Sequence, residues 1–181
     1  MVGVITTGPL AVRDAAPADA ARCAEIYAPY VRDSAISFET EPPPAEEMAG
    51  RIAAAQRDHA WLVLEDAGTV SGYAYGGPFM ARAAYRWSAT VSVYLAGDRR
   101  GSGGGRALYT ALFDRLAARG IRTVMAGVAL PNPASEGLHR SLGFTPVGTY
   151  RRVGWKLGRW HDVAWYQKDL VTDWSPPPAA G

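Results

Sequence analysis

Residues 89–120 read ATVSVYLAGDRRGSGGGRALYTALFDRLAARG, and this stretch decides the fold. Residues 89–95 are rich in β-branched side chains. Val91, Val93 and Leu95 fall on one face of a strand, Ser92 and Tyr94 on the other. From Leu108 the period changes. Leu108, Leu112 and Leu116 recur every four residues, and Gly120 stands where a helix would stop. Between strand and helix lies Arg99-Arg100-Gly101-Ser102-Gly103-Gly104-Gly105-Arg106. Glycines let the backbone adopt positive φ and come close to a ligand. The first N–H groups of a helix have no partner within it and aim at one spot, where the dipole favours negative charge. Such a loop is either a phosphate cradle, strengthened by its arginines, or a flexible surface turn. Its place between a β run and a well-patterned helix favours the cradle.

Two phosphate-binding patterns do not fit. No Gly-Lys-Ser/Thr follows the glycines, so a Walker loop is excluded. Arg106 stands where a dinucleotide fingerprint needs its third glycine.

Working outward, residues 1–10 read as a loose leader. A helix begins at Pro17, with Cys23, Ile26, Tyr27 and Tyr30 as one apolar stripe. Residues 36–40 form a short stretch ended by Pro42, Pro43 and Pro44. Met48, Ile52 and Ala55 mark a second helix. Strands are predicted over 61–65 and 70–76, around the turn Asp66-Ala67-Gly68. Another strand spans 121–128. A short helix opens at Asn132 and closes at Leu142-Gly143-Phe144, and final strands span 147–153 and 162–167. Residues 171–181 read as a Pro/Ala-rich disordered tail. The order predicts one mixed α/β domain over 11–170.

Composition narrows the function classes. The 181 residues suit one domain. One cysteine permits no intrachain disulfide and fits a reducing compartment. A net charge of +2 gives no reason to expect nucleic acid. No apolar run reaches the ~20 residues of a membrane helix, and the N-terminus lacks a signal-peptide pattern. These features predict a cytoplasmic protein with no membrane or nucleic-acid partner.

The Arg-x-x-Gly-x-Gly pattern of Arg100, Gly103 and Gly105 resembles the acetyl-CoA pyrophosphate loop of the GNAT superfamily of N-acetyltransferases. The resemblance covers roughly residues 10–170. It is sharpest to the phosphinothricin/methionine sulfoximine N-acetyltransferase branch. It is carried by Ile36-Ser37-Phe38-Glu39-Thr40-Glu41-Pro42-Pro43, Ala84-Tyr85-Arg86, Ser92-Val93-Tyr94-Leu95 and Arg106-Ala107-Leu108-Tyr109. Further matches are Leu130-Pro131-Asn132 with Ser135, Leu138-His139, Leu142-Gly143-Phe144, Gly154-Trp155-Lys156 and Trp160-His161-Asp162-Val163. The resemblance implies a GNAT fold, in which a central, mixed, mostly antiparallel, splayed sheet is flanked by helices. It implies transfer of acetyl from acetyl-CoA, as co-substrate and without a metal, to a small amino-acid-like amine. It also implies a homodimer.

By the same resemblance, the main chain of Val93, Tyr94 and Leu95 pairs with the pantetheine arm, and Arg100, Gly101, Ser102, Gly103, Gly104, Gly105 and Arg106 receive the pyrophosphate. Asn132, with Ser135, matches a cofactor-contacting position; equally, Asn132 reads as a helix N-cap. His139 is either a proton acceptor or a packed histidine. His161 reads as structural. The branch usually carries an acid where this chain has Thr90, which cannot itself be a base near neutrality and could only orient a water. Deprotonation then falls to His139, Glu39, a water chain or solvent. Arg82 is the candidate for a substrate carboxylate; its partner in the branch is replaced by Met80. Tyr85, Phe38 and Glu39 are candidate walls of the amine pocket.

Overall fold

The computed structural model describes residues 10–99 and 101–175. The leader up to residue 9, Arg100 and the tail from 176 lie outside these described residues. The chain lays down β1 (Ala11–Asp14), α1 (Ala20–Arg32), α2 (Ala45–Asp58), β2 (Trp61–Asp66), β3 (Thr69–Pro78) and β4 (Ser88–Leu95). Then follow α3 (Gly104–Ala118), β5 (Thr123–Ala129), α4 (Pro133–Ser141), β6 (Thr145–Lys156) and β7 (Arg159–Asp169). The seven strands form one sheet in the order β1-β2-β3-β4-β5-β7-β6. Every pairing is antiparallel except β4 with β5. Among the described residues no helix is long and apolar enough to cross a membrane.

Both faces of the inner strands are covered. On β2, Leu62 and Leu64 join Leu108, Leu112 and Leu116 of α3. Trp61 and Val63 join Cys23, Ile26, Tyr27, Met48 and Ile52 of α1 and α2. That is why residues 61–64 are apolar without alternation. The three α3 leucines are fully buried, each contributing about 2 kcal/mol of transfer free energy.

Three features differ from the sequence reading. Ala11–Asp14 is an edge strand on β2, too short for its alternation to register. The strand expected over 121–128 starts at Thr123, because Ile121 instead closes the end of α3, its N–H bonding the Leu116 carbonyl. The last two strands run through the Trp- and Gly-rich segment and join in a two-residue turn. Leu157 and Gly158 both have positive φ, the geometry that matches strand twist.

The parallel pair is short. Ser88, Ala89 and Thr90 pair with Thr123, Val124 and Met125, and pairing stops there. The pairing of β4 with β3 continues to Leu95. The sheet therefore opens between the C-terminal halves of β4 and β5, and the opening leads to the start of α3.

Candidate active site

The hydrogen-bond register decides which main-chain groups face the opening. Ala96 donates to the Ser71 carbonyl at 2.8 Å, toward the β3 side. Leu95 bonds the other way: its carbonyl accepts from the Tyr30 hydroxyl at 2.6 Å and its N–H lies 3.3 Å from the same oxygen. Bonding direction alternates along an antiparallel pair. The main-chain groups of Val93 and Val91 therefore turn the same way as those of Leu95, into the opening. Leu95 is capped by Tyr30 and Val91 adjoins the last parallel pair with β5, so Val93 is the position most fully presented to a ligand. Facing them across the cleft are residues 126–129 of β5, with Asn132, Ser135 and His139 on the α4 side and Ile36 from the α1–α2 connection.

At its far end the cleft meets the glycine loop. Gly103 is the N-cap of α3 with φ +85°, and Gly101 has φ +81°. The first bond of the helix is from Ala107 N–H to the Gly103 carbonyl, 3.1 Å. The amides of Gly104, Gly105 and Arg106 precede that ladder and, among the described residues, have no backbone partner, which suits them to an anion. The loop is anchored by Arg99, whose Nη2 lies 2.6 Å from Oδ2 of the buried Asp66. The Ser102 hydroxyl turns inward, donating to the Arg99 carbonyl at 2.7 Å. The Arg106 guanidinium reaches across to α4 and bonds the Ser141 hydroxyl at 2.8 Å. The glycines divide by task. A side chain on Gly104 would run into Leu64, and one on Gly105 would press on Leu138. Gly101 and Gly103 have open space around them, so backbone conformation is what requires glycine there.

On α4, Asn132 is the N-cap, its side chain accepting from Ser135 N–H at 3.2 Å. The same residue lines the cleft, so capping and contact coexist. His139 is 3% exposed. Its Nδ1 lies 2.7 Å from the Ser135 carbonyl and its Nε2 3.3 Å from the Tyr109 hydroxyl. A carbonyl can only accept, so Nδ1 carries the proton and Nε2 accepts from Tyr109. Phe144 meets the ring edge-on at 4.9 Å and Tyr166 stacks on it at 5.8 Å. Burial lowers the His139 pKa, against an opposing pull from the Ser135 carbonyl.

This has a consequence for stability. His139 and His59 both have folded pKa values lowered by burial. Below pH ~6.5 the unfolded chain binds protons that the folded chain refuses. Stability is then full above that pH and falls as the solution is acidified. Asp19 and Glu39 have lowered pKa values, so their losses come at lower pH, below ~4. Thermal unfolding between pH 7.5 and 5.5 is expected to show the histidine loss, and His139→Phe to reduce it. An identical pH dependence in that variant would remove the assignment.

The candidates on the amine side are dispersed. Thr90 Oγ1 lies 3.4 Å from the Gly77 carbonyl, beside β3. Glu39 is committed to Arg51, with contacts of 2.7 and 2.9 Å. It also accepts from the Tyr27 hydroxyl at 2.9 Å. The Arg51 bonds hold its pKa below the ordinary carboxylate value. Phe38 lies over β6, where a side chain on Gly154 would overlap its ring. Arg82 is exposed, on an open depression shared with Arg57, Arg119 and Met80. Tyr85 stands on the rim between that depression and a second one of about 640 Å³, walled by Met125, Trp165 and Tyr150. That volume suits a small-molecule ligand. Val93, Tyr94, Asn132, Ser135 and His139 thus share one cleft, and Arg82 and Tyr85 lie beyond its closed end. Tyr30, Ile36, Val91 and residues 126–129 were not among the site residues expected from the sequence. Among the described residues no group of three or more His, Cys, Asp or Glu is placed to hold a metal.

Comparison with known proteins gives the family and matches the fold. Residues 12–165 match the acetyltransferase (GNAT) domain model. The chain is 39% identical to a phosphinothricin N-acetyltransferase of Streptomyces viridochromogenes, over 94% of this chain and 93% of that one. It is 38% identical to an L-methionine sulfoximine/L-methionine sulfone acetyltransferase of Pseudomonas aeruginosa, over 92% and 98%. Among solved structures, a phosphinothricin acetyltransferase from Sinorhizobium meliloti in complex with acetyl-CoA superposes with a TM-score of 0.90. It is 37% identical, over 95% of this chain and 94% of that one. A putative acetyltransferase from Salmonella typhimurium with its cofactor acetyl-CoA also gives 0.90, at 32% identity over 94% and 99%.

Proposed function

The chain belongs to the GNAT acetyltransferase family, and from that premise we propose that it moves the acetyl group of acetyl-CoA to the primary amine of a small amino-acid-like substrate of the phosphinothricin or methionine sulfoximine type. One observation carries the proposal. The main chain of Val93, beyond the last β4–β5 pair, faces an opening that runs toward the amides of Gly104, Gly105 and Arg106 at the start of α3. An extended pantetheine can pair with the strand while its pyrophosphate meets the helix N-terminus.

In this reading the amine lone pair attacks the thioester carbonyl carbon. A C–N bond forms, and the carbonyl oxygen becomes an oxyanion that a β4 amide stabilises. Collapse breaks the C–S bond; the thiolate leaves and the proton lost from nitrogen neutralises it. Holding both reactants supplies much of the rate. No metal takes part. His139, boxed by aromatics, holds Ser135 and α4 in place, and the substrate amine arrives already deprotonated by solvent. Arg82 receives the carboxylate. The exposed Val147, Tyr150, Val153, Trp155 and Trp160 of the β6–β7 hairpin form a homodimer contact, and the protein works in the cytoplasm, apart from membranes and nucleic acid. Acetylation removes the positive charge of an amine inhibitor, and with it the inhibition.

The test follows free thiol release from acetyl-CoA over a panel of phosphinothricin, methionine sulfoximine, a polyamine, an arylamine and a peptide. Turnover of the first two is expected. Turnover of the others alone would move the substrate class, and acetyl-CoA binding without any turnover would overturn the enzymatic reading. Arg82→Ala is expected to raise KM for the amino acids roughly five-fold and to leave amines without a carboxylate unchanged, because only the former lose a charge-assisted pair. Equal effects on both classes would remove Arg82 from the site.

A further inference from the structure

Lys156 ends β6 and is 8% exposed. A lysine that deep must spend its charge on something. Its ammonium donates to the Val31 carbonyl and to the Ser37 carbonyl, each at 2.6 Å. Val31 lies in the last turn of α1, where carbonyls have no helical partner and the dipole favours a cation. Ser37 lies five residues beyond the helix end, in the α1–α2 connection. One side chain from the far end of the sheet thus bridges both ends of the segment that holds Ile36.

The surrounding contacts serve the same segment. His161 is 3% exposed, and its Nε2 lies 3.0 Å from the Lys156 carbonyl, which ties the lysine's own backbone to β7. Gly154, two residues before the lysine, leaves the room that the Phe38 ring fills. The Tyr27 hydroxyl lies 2.6 Å from Ser37 Oγ and bonds Glu39. Tyr27 also packs on Tyr94 of β4 with ring centroids 4.8 Å apart. Ile36, between the two bridged carbonyls, lines the cleft beside Val91 and Val93.

We propose that Lys156 is a positioning residue for the amine side of the cleft: by holding the Val31 and Ser37 carbonyls together, it fixes the α1–α2 connection so that Ile36 stands at the opening and Phe38 lies over β6. The pyrophosphate end of the acetyl-CoA site is built from α3 and the glycine loop, which the clasp does not touch. Burial lowers the Lys156 pKa, and the Glu39 carboxylate opposes that. The role rests on the acetylation reading above, and its test separates the two.

Lys156→Met keeps the length of the side chain and removes the ammonium. Amide hydrogen exchange over residues 34–40 is expected to accelerate. KM for the amine should rise by about five-fold, the scale of one lost hydrogen bond, and the Kd of acetyl-CoA by a clearly smaller factor, since of this segment only Ile36 lines the cleft that takes pantetheine. Gly154→Ala displaces Phe38 by a different route and should give the same split. The double variant should be no worse than the more affected single one, since both act on one segment. Unchanged exchange, or acetyl-CoA affinity falling in parallel with the amine, would overturn the role. If Lys156→Met does not fold, Gly154→Ala decides by the same split between amine KM and acetyl-CoA Kd. If the wild-type protein acetylates no amine, the acetylation reading fails, and exchange over 34–40 still decides whether the clasp holds the segment.

Discussion

Gly103→Val is expected to weaken acetyl-CoA binding by up to about a hundred-fold, measured by calorimetry on the folded variant. Gly103 caps α3 at φ +85° and has open space around it. The valine therefore meets no neighbour, and the penalty comes from the backbone alone. A β-branched residue held in the left-handed region costs on the order of 1–3 kcal/mol. The chain relieves that strain by turning the peptide planes at the start of the helix. Those planes carry the amides of Gly104, Gly105 and Arg106, whose common direction makes the anion site. Three kcal/mol is about a hundred-fold in Kd, which sets the ceiling. Gly104→Val is the contrasting case. There the side chain would run into Leu64 of β2, so the loss should appear first as a lower Tm. A folded Gly103→Val with unaltered affinity would remove the pyrophosphate from this loop.

How far the site was legible follows from the range over which each feature is determined. The strand, loop and helix of 89–120 lie within one window, and two clear periods announce them. The stripe of Cys23, Ile26, Tyr27 and Tyr30 is just as local, and all four are buried as one face of α1. The opening in the sheet is not local. It exists because β4 and β5 part after Thr90 and Met125, two residues far apart in the chain whose identities give no sign of it. Tyr30 shows the same limit. Its spacing marks it as core, and it is core, yet its hydroxyl also caps Leu95 of the strand that the family resemblance assigns to the ligand. Arg106 sits in sequence among residues expected to meet phosphate, but its side chain is long enough to reach Ser141 instead. Lys156 was legible only as part of a matching motif. Burial of a lysine depends on acceptors 119 and 125 residues away, and no local pattern encodes them.

The rate of the wild-type enzyme is expected to rise with pH up to the pKa of the substrate amine, because none of the nearby groups is placed as a strong base. Thr90 cannot accept the proton. Glu39 is held ionised by Arg51 and its pKa is lowered, which makes it a weak base. His139 is enclosed by Tyr109, Phe144 and Tyr166, and burial disfavours its charged form. The amine must then bind in its neutral form. For an α-amino group of pKa ~8, about a tenth is neutral at pH 7. That fraction limits what any added base can gain. Thr90→Glu should raise kcat/KM at pH 7 by up to about ten-fold and move the acidic limb of the profile to lower pH. The opposite position on β3 is Gly77, where a Cβ would stand 3.7 Å from Thr90 Oγ1, so a longer side chain has room. The neighbouring Gly77 and Pro78 carbonyls disfavour a carboxylate. They raise its pKa toward the working range of a base rather than abolish it. His139→Phe, by contrast, should leave the acidic limb in place, since the limb belongs to the substrate. Loss of the limb in that variant would make His139 the base. A flat kcat/KM between pH 6 and 9, insensitive to both substitutions, would mean that proton removal does not limit the rate and that binding or product release does.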